Sequence, residues 1–341
     1  MSLKKLINSF SRTKTTTSSR SHSDFSLKNG GLMVEELIRI SNGDYNPFCI
    51  FSARELEQAT NDYDQDLVLP LDTNYRLFQG VLENRGTVLI KKMIEKEIQR
   101  EIAISAYVSA NSNLVKLLGC CLETKVPMLV FEYVPENLST YLQGEKVTLP
   151  WRYRIRIAAQ VAAAIVYLHV GKSRPLIHRH VKISNILLDA NLNAKLFDFG
   201  LSLEIPSGET YVEALVEGTI GFIAPESVYT CKFNEKTDVF AFGATFIEIL
   251  TGREPVDVFI EASGDQLIPN LTPVAKSSLM SVSLPTKREL LLFLKANLIK
   301  DGTQNALKSS AELAASCVDV LPARRPTIEE VAKELRKIQN M

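Results

Sequence analysis

His178-Arg179-His180-Val181-Lys182-Ile183-Ser184-Asn185, followed after a short interval by Asp198-Phe199-Gly200, is the stretch on which the reading of this chain turns. Working outward, Val88-Leu89-Ile90-Lys91 and Glu101 lie upstream of it, and Ala224-Pro225-Glu226 lies downstream. Each of these short strings is a weak signal alone. Their order and their separations make them a specific one.

The surroundings divide the chain into two kinds of segment. Between Phe51 and Tyr133 there are several short β-like runs and one helical stretch, among them Thr87-Val88-Leu89-Ile90 and Met128 to Tyr133, which predicts a small, mainly antiparallel sheet. After Pro135 the period changes to that of long helices, including Trp151 to His169 and Thr237 to Leu250. The last helix has a capping-box start, Thr327 with Glu330 three residues on, and a core stripe of Val331, Leu335 and Ile338. No internal repeat is present, which excludes solenoids.

The N-terminal part reads differently. Residues 1–31 are a basic, Ser/Thr-rich flexible arm, with six basic residues against one acidic in the first thirty. Such an arm is either a solvated tail or a contact to an acidic lipid surface or partner. Residues 32–48 hold a short amphipathic helix, Leu32 to Ile40, and a linker broken at Ser41-Asn42-Gly43-Asp44. The remaining boundaries are 49–134 for a β-rich lobe and 135–341 for a helical lobe.

The composition of the 341 residues narrows the function classes: 45% hydrophobic and 23% charged residues suffice for a core without staples. The 39 basic and 39 acidic residues cancel, so no global field points to nucleic acid. Five cysteines, Cys49, Cys120, Cys121, Cys231 and Cys317, suit neither a disulfide framework nor a zinc site, which implies a reducing, cytoplasmic setting. No apolar run is long enough to span a bilayer, and Ser2 occupies the position where myristoylation needs glycine. Membrane contact, if made, is peripheral and runs through the basic arm.

The ordered strings are the motif set of a protein kinase, so the expected fold is α+β and bilobal, with a β-rich N-lobe carrying helix αC and a larger helical C-lobe. Phe51 to Thr60, Asn113 to Cys121, Gly218 to Glu226 and Asp238-Val239-Phe240-Ala241-Phe242-Gly243 resemble plant receptor-like cytoplasmic kinases over residues 49–340. The resemblance implies roles for individual positions. Lys91 and Glu101 form the ion pair between β3 and αC, with Glu97 as an alternative partner, and Asn185 and Asp198 hold Mg²⁺ if it binds. His178, Lys182, Thr219, Asp238 and the ion pair Glu226 with Arg325 are structural. Arg179 with Ser202, Ser207, Thr210 or Tyr211 makes either a phosphate-responsive segment or an ordinary exposed loop.

Two departures from the kinase pattern argue against phosphoryl transfer. The catalytic-loop Asp, which accepts the substrate hydroxyl's proton, is His180 here. An imidazole with a reference pKa of about 6.5 can take a proton but differs in size and shape from a carboxylate, and a misplacement of about 1 Å costs roughly a hundredfold. In the glycine-rich loop, Pro70, Asp72 and Tyr75 stand on the three glycine positions. Pro70 lacks an N–H, Asp72 brings negative charge towards a triphosphate, and Tyr75 adds bulk.

These losses, in a short chain without an ectodomain, resemble the ZED-related group of plant pseudokinases. That resemblance implies an adaptor in plant innate immunity, bound to the leucine-rich repeats of a coiled-coil nucleotide-binding receptor of the ZAR type. The sensed partner is a bacterial effector or another receptor-like cytoplasmic kinase that an effector has modified. No cofactor is required on this reading, and ATP with Mg²⁺ stays an open option. A nucleotide-gated switch without catalysis and a weakly active Ser/Thr kinase are the competing readings.

Overall fold

The computed structural model describes residues 19–69, 75–93, 98–143, 149–264, 284–298 and 301–341, in two units, Met1–Pro135 and Glu136–Met341. In the first unit the strands are β1 (Cys49–Ile50), β2 (Tyr75–Leu82), β3 (Gly86–Met93), β4 (Leu117–Cys121) and β5 (Met128–Glu132). They form one sheet in the order β1-β4-β5-β3-β2, antiparallel except for the parallel pair β1 with β4. β-branched and aromatic residues suit these strands, and Phe78, Val88, Ile90 and Val130 form a buried cluster on the sheet. Gly119 allows β1 to come close: a Cβ there would lie 2.4 Å from the Cys49 carbonyl oxygen and from the Phe51 ring.

Among the described residues of this unit the α-helices are α1 (Ser19–Ser41), α2 (Ala53–Ala59) and α3 (Gln99–Val108). Ser52 and Glu55 cap α2 reciprocally, as a capping box does. Helix α1 differs from the expectation, since it begins at Ser19 and takes in residues 19–31 of the stretch assigned above to a flexible arm. Tertiary contacts override the unfavourable Asn29-Gly30-Gly31 composition. Met33, Leu37 and Ile40 are buried, and Asn29, 3% exposed, donates to the carbonyls of Leu122 and Thr124 at 3.0 and 2.9 Å. Residues 1–18 lie outside the described residues.

The second unit is mainly helical: α4 (Leu138–Gln143), α5 (Trp151–Val170), α6 (Pro225–Thr230), α7 (Glu235–Thr251), α8 (Pro255–Ala262), α9 (Lys287–Asn297), α10 (Gln304–Cys317) and α11 (Ile328–Gln339). Short strand pairs hold its loops: β6 (Glu136–Asn137), β8 (Ile186–Leu188) and β9 (Ala194–Leu196) in one sheet, β7 (Leu176–Ile177) with β10 (Leu203–Glu204), and β11 (Val212–Glu213) with β12 (Lys232–Phe233). Helix α7 is buried along nearly all its length and serves as the axis of the unit. Gly243 lets α10 approach it, because a Cβ there would lie 2.5 Å from Cys317 Cβ. Thr327 and Glu330 form the expected capping box on α11, and Val331, Leu335 and Ile338 face the core.

Candidate functional site

The first unit contributes a lysine whose surroundings follow from strand register. Lys91 on β3 faces Leu77 of β2, and Tyr75 lies two residues from Leu77 on the same face. That places the Tyr75 ring diagonally over the lysine, with Nζ 4.1 Å from the ring centroid. Lys91 Nζ also donates to Glu101 Oε1 at 2.6 Å, and the two side chains are 1% and 2% exposed. Glu101 sits in the first turn of α3, where the helix favours negative charge. Among the described residues, Lys91 thus pairs with Glu101. Glu97, Pro70 and Asp72 lie outside the described residues, so Tyr75 alone of the three glycine-position residues is described, and it is buried.

The second unit contributes the loop that follows β7. Asp238 on α7 anchors its backbone, accepting from the N–H groups of His178 at 2.7 Å and Arg179 at 2.8 Å, while His169 Nε2 lies 2.9 Å away. Burial alone would raise the Asp238 carboxyl, but the His169 ring and the His178 contacts hold it below the usual carboxylate range. Burial pushes the His178 ring down to about 4, against the pull of Asp238 and Asp198, so the ring is neutral near pH 7. Its Nδ1 accordingly accepts the His180 N–H at 3.2 Å. Arg179, between this anchor and His180, is held at the left-handed φ of +66°.

The His180 imidazole bridges two oxygen groups. Its Nδ1 lies 3.2 Å from Asp198 Oδ2, and its Nε2 lies 3.4 Å from Thr219 Oγ1. Asn185 closes the loop from the other side, its Nδ2 donating to the His180 carbonyl at 2.8 Å and its own carbonyl accepting the Phe197 N–H at 2.9 Å. The next residue, Asp198, takes the left-handed φ of +67°, a conformation that a non-glycine residue holds only where its surroundings enforce it. Asn185 Oδ1 is fully buried and has no hydrogen-bond partner among the described residues.

Arg179 engages its own segment. Its guanidinium donates to the carbonyls of Leu201 at 3.0 Å and Leu215 at 2.6 Å and lies 4.0 Å over the Phe233 ring. Ser202 corrects an expectation: at 1% exposure, with its hydroxyl donating to the His178 carbonyl, it is a packing residue and not a surface phosphate acceptor. Ser207 and Thr210 are exposed, and Tyr211 is half-buried with Lys232 Nζ 4.1 Å over its ring. Arg325 is fully buried and makes a bidentate pair with Glu226, both contacts at 2.7 Å. Lys182 is buried, and its charge acts on Glu248 of α7, whose carboxyl is nonetheless pushed up to about 8 by burial and by Glu254.

A family model described as protein tyrosine and serine/threonine kinase matches residues 76–335. The chain belongs to the protein kinase family. This kinase domain is 33% identical over 322 residues to a putative wall-associated receptor kinase-like 16 of Arabidopsis thaliana, covering 92% of this chain and 72% of that protein. It is 32% identical over 326 residues to wall-associated receptor kinase-like 1 and 33% over 327 to wall-associated receptor kinase 5 of the same plant. The chain spans 43% of the length of each of these two.

In kinase terms, Lys91, Glu101, Asn185 and Asp198 occupy their motif positions, and His180 occupies the position of the proton-accepting carboxylate. The unpartnered Asn185 Oδ1 fits a metal ion, so Asn185 and Asp198 are the residues that would hold Mg²⁺. When bound, such an ion neutralises charge on phosphate oxygens. Within the chain itself, the Lys91 ammonium is neutralised by Glu101 and covered by Tyr75, and the His180 ring contacts Asp198. Reasoning from sequence missed Glu248 and His169. Glu248 lies inside a buried run with no local marker, and His169 meets Asp238 across a separation of 69 residues.

Proposed function

We propose that this kinase domain does not transfer phosphate and acts as an adaptor in plant innate immunity. The observation that carries the loss of catalysis is His180, whose ring fills the proton-acceptor position and is turned into contacts with Asp198 and Thr219. A ring nitrogen engaged with Asp198 is not poised to take a proton from a substrate hydroxyl. Tyr75 over Lys91 adds a second obstacle, because the lysine that should meet nucleotide phosphates is capped within its own sheet. With chemistry lost, a folded scaffold still presents surfaces.

The partner is the leucine-rich-repeat region of a coiled-coil nucleotide-binding immune receptor, and the sensed signal is an effector or an effector-modified receptor-like cytoplasmic kinase. What supports this partner class is the resemblance to plant receptor-like cytoplasmic kinases carried by Phe51 to Thr60, Asn113 to Cys121 and Gly218 to Glu226, together with His180 and the Pro70, Asp72 and Tyr75 of the altered glycine loop, which resemble the ZED-related group. The test is binding of the full chain to purified leucine-rich-repeat regions of such receptors, with and without Mg·ATP. Binding at equal affinity in both conditions is expected. Absence of binding across a panel of these receptors rejects the partner class, and binding that requires ATP favours the nucleotide-gated switch.

A further inference from the structure

The replacement at position 180 does more than remove a carboxylate, because it adds a nitrogen donor beside two oxygen donors. His180 Nδ1 and Asp198 Oδ2 lie 3.2 Å apart. Two donors bound to one transition-metal ion at about 2.0–2.2 Å are separated by roughly 3.0–3.5 Å for angles between square and tetrahedral. The observed spacing falls in that range, so a metal ion can take the place of the proton between them with little rearrangement.

The candidate for a third donor is the amide oxygen of Asn185. It is wholly buried and unpartnered among the described residues, and a buried polar oxygen in that state carries a desolvation cost that a cation removes. The Asn185 amide nitrogen is committed to the His180 carbonyl, which ties this side chain to the loop that carries His180. On the far side of the imidazole, Thr219 Oγ1 lies 3.4 Å from Nε2, the position of the oxygen partner that typically orients a metal-bound histidine. Among the described residues no three His, Cys, Asp or Glu side chains gather around a metal position, so the amide oxygen is required as the third ligand.

We propose that His180 Nδ1, Asp198 Oδ2 and Asn185 Oδ1 form a binding site for a divalent transition metal of the cobalt or zinc type, in place of the all-oxygen magnesium site implied by the family. Imidazole favours zinc, cobalt and nickel over magnesium, whereas carboxylate and amide oxygens alone suit magnesium and manganese. The ion needs no nucleotide to bind, so the inference stands whether or not the chain transfers phosphate.

The test uses the full chain with Cys231→Ser, which removes an exposed thiol that could bind the same ions. Co²⁺ alone and Mg²⁺ alone are titrated into this protein and into the same background carrying His180→Ala, His180→Asp or Asn185→Ala, with calorimetric affinity and the visible Co²⁺ absorption as readouts. Co²⁺ is expected to bind at least about tenfold more weakly in His180→Ala and Asn185→Ala, with loss of the absorption bands of a nitrogen-ligated ion. His180→Asp is expected to keep its fold and shift the preference towards Mg²⁺. Equal Co²⁺ affinity and spectra in the parent and His180→Ala, or no Co²⁺ binding by the parent, overturns the proposal.

Discussion

At the scale of single residues, Tyr75 and Glu248 carry the clearest consequences. Replacing Tyr75 by glycine uncovers the Lys91 ammonium and restores the residue type that a phosphate-binding loop uses there. Binding of a fluorescent ATP analogue should therefore be stronger in Tyr75→Gly than in wild type, and equal binding would show that the ring is no obstacle. Glu248 is a titration device of the folded state. Its folded pKa of about 8 lies above the ordinary carboxylate value, so its contribution to stability is full when the group is protonated in both states and is lost as the pH rises towards about 8. Glu248→Gln should flatten the fall in denaturation free energy between about pH 5 and pH 8, by a few kcal/mol at most. Glu226→Ala strands the buried Arg325 guanidinium and should cost about 3 kcal/mol in chemical denaturation. The Glu226–Arg325 pair and the Lys91–Glu101 pair were both legible from motif position. The Tyr75 contact was legible only as bulk, because the ring's direction comes from the register of β2 against β3.

At the scale of elements, α1 shows where composition misleads. The Ser/Thr-rich, glycine-containing run around Asn29-Gly30-Gly31 has poor intrinsic helicity, and a flexible arm is the natural reading of it. The helix is instead latched on the first unit by Met33, Leu37 and Ile40 and by the side-chain amide of Asn29, partners that no local pattern announces. Leu37→Ala should cost about 3 kcal/mol and raise amide hydrogen exchange along Ser19–Ser41 ahead of the sheet. Uniform exchange in wild type and variant would mean that the helix is not held by this contact. By contrast, α11 was readable almost residue by residue, since its start signal, Thr327 with Glu330, and its apolar stripe are both local.

At the scale of the whole molecule, the division into a β-rich unit and a helical unit follows from a change of hydrophobic period near Pro135 and from the order of the motifs. The structural anchors, Asp238 beneath the His178 loop and Arg325 against Glu226, hold the kinase fold independently of the side chain at position 180. The backbone anchor and the side chain at position 180 are separate parts of one loop, so one can change without the other. The central claim is that the fold is intact and phosphoryl transfer is absent. The direct measurement is transfer of labelled γ-phosphate from ATP to the chain itself and to a generic protein acceptor, for wild type, Asp198→Asn, His180→Asp and the double variant Tyr75→Gly/His180→Asp. The account predicts no transfer by wild type or Asp198→Asn, with any activity confined to the variants that restore Asp at position 180. Transfer by wild type that Asp198→Asn abolishes would contradict it.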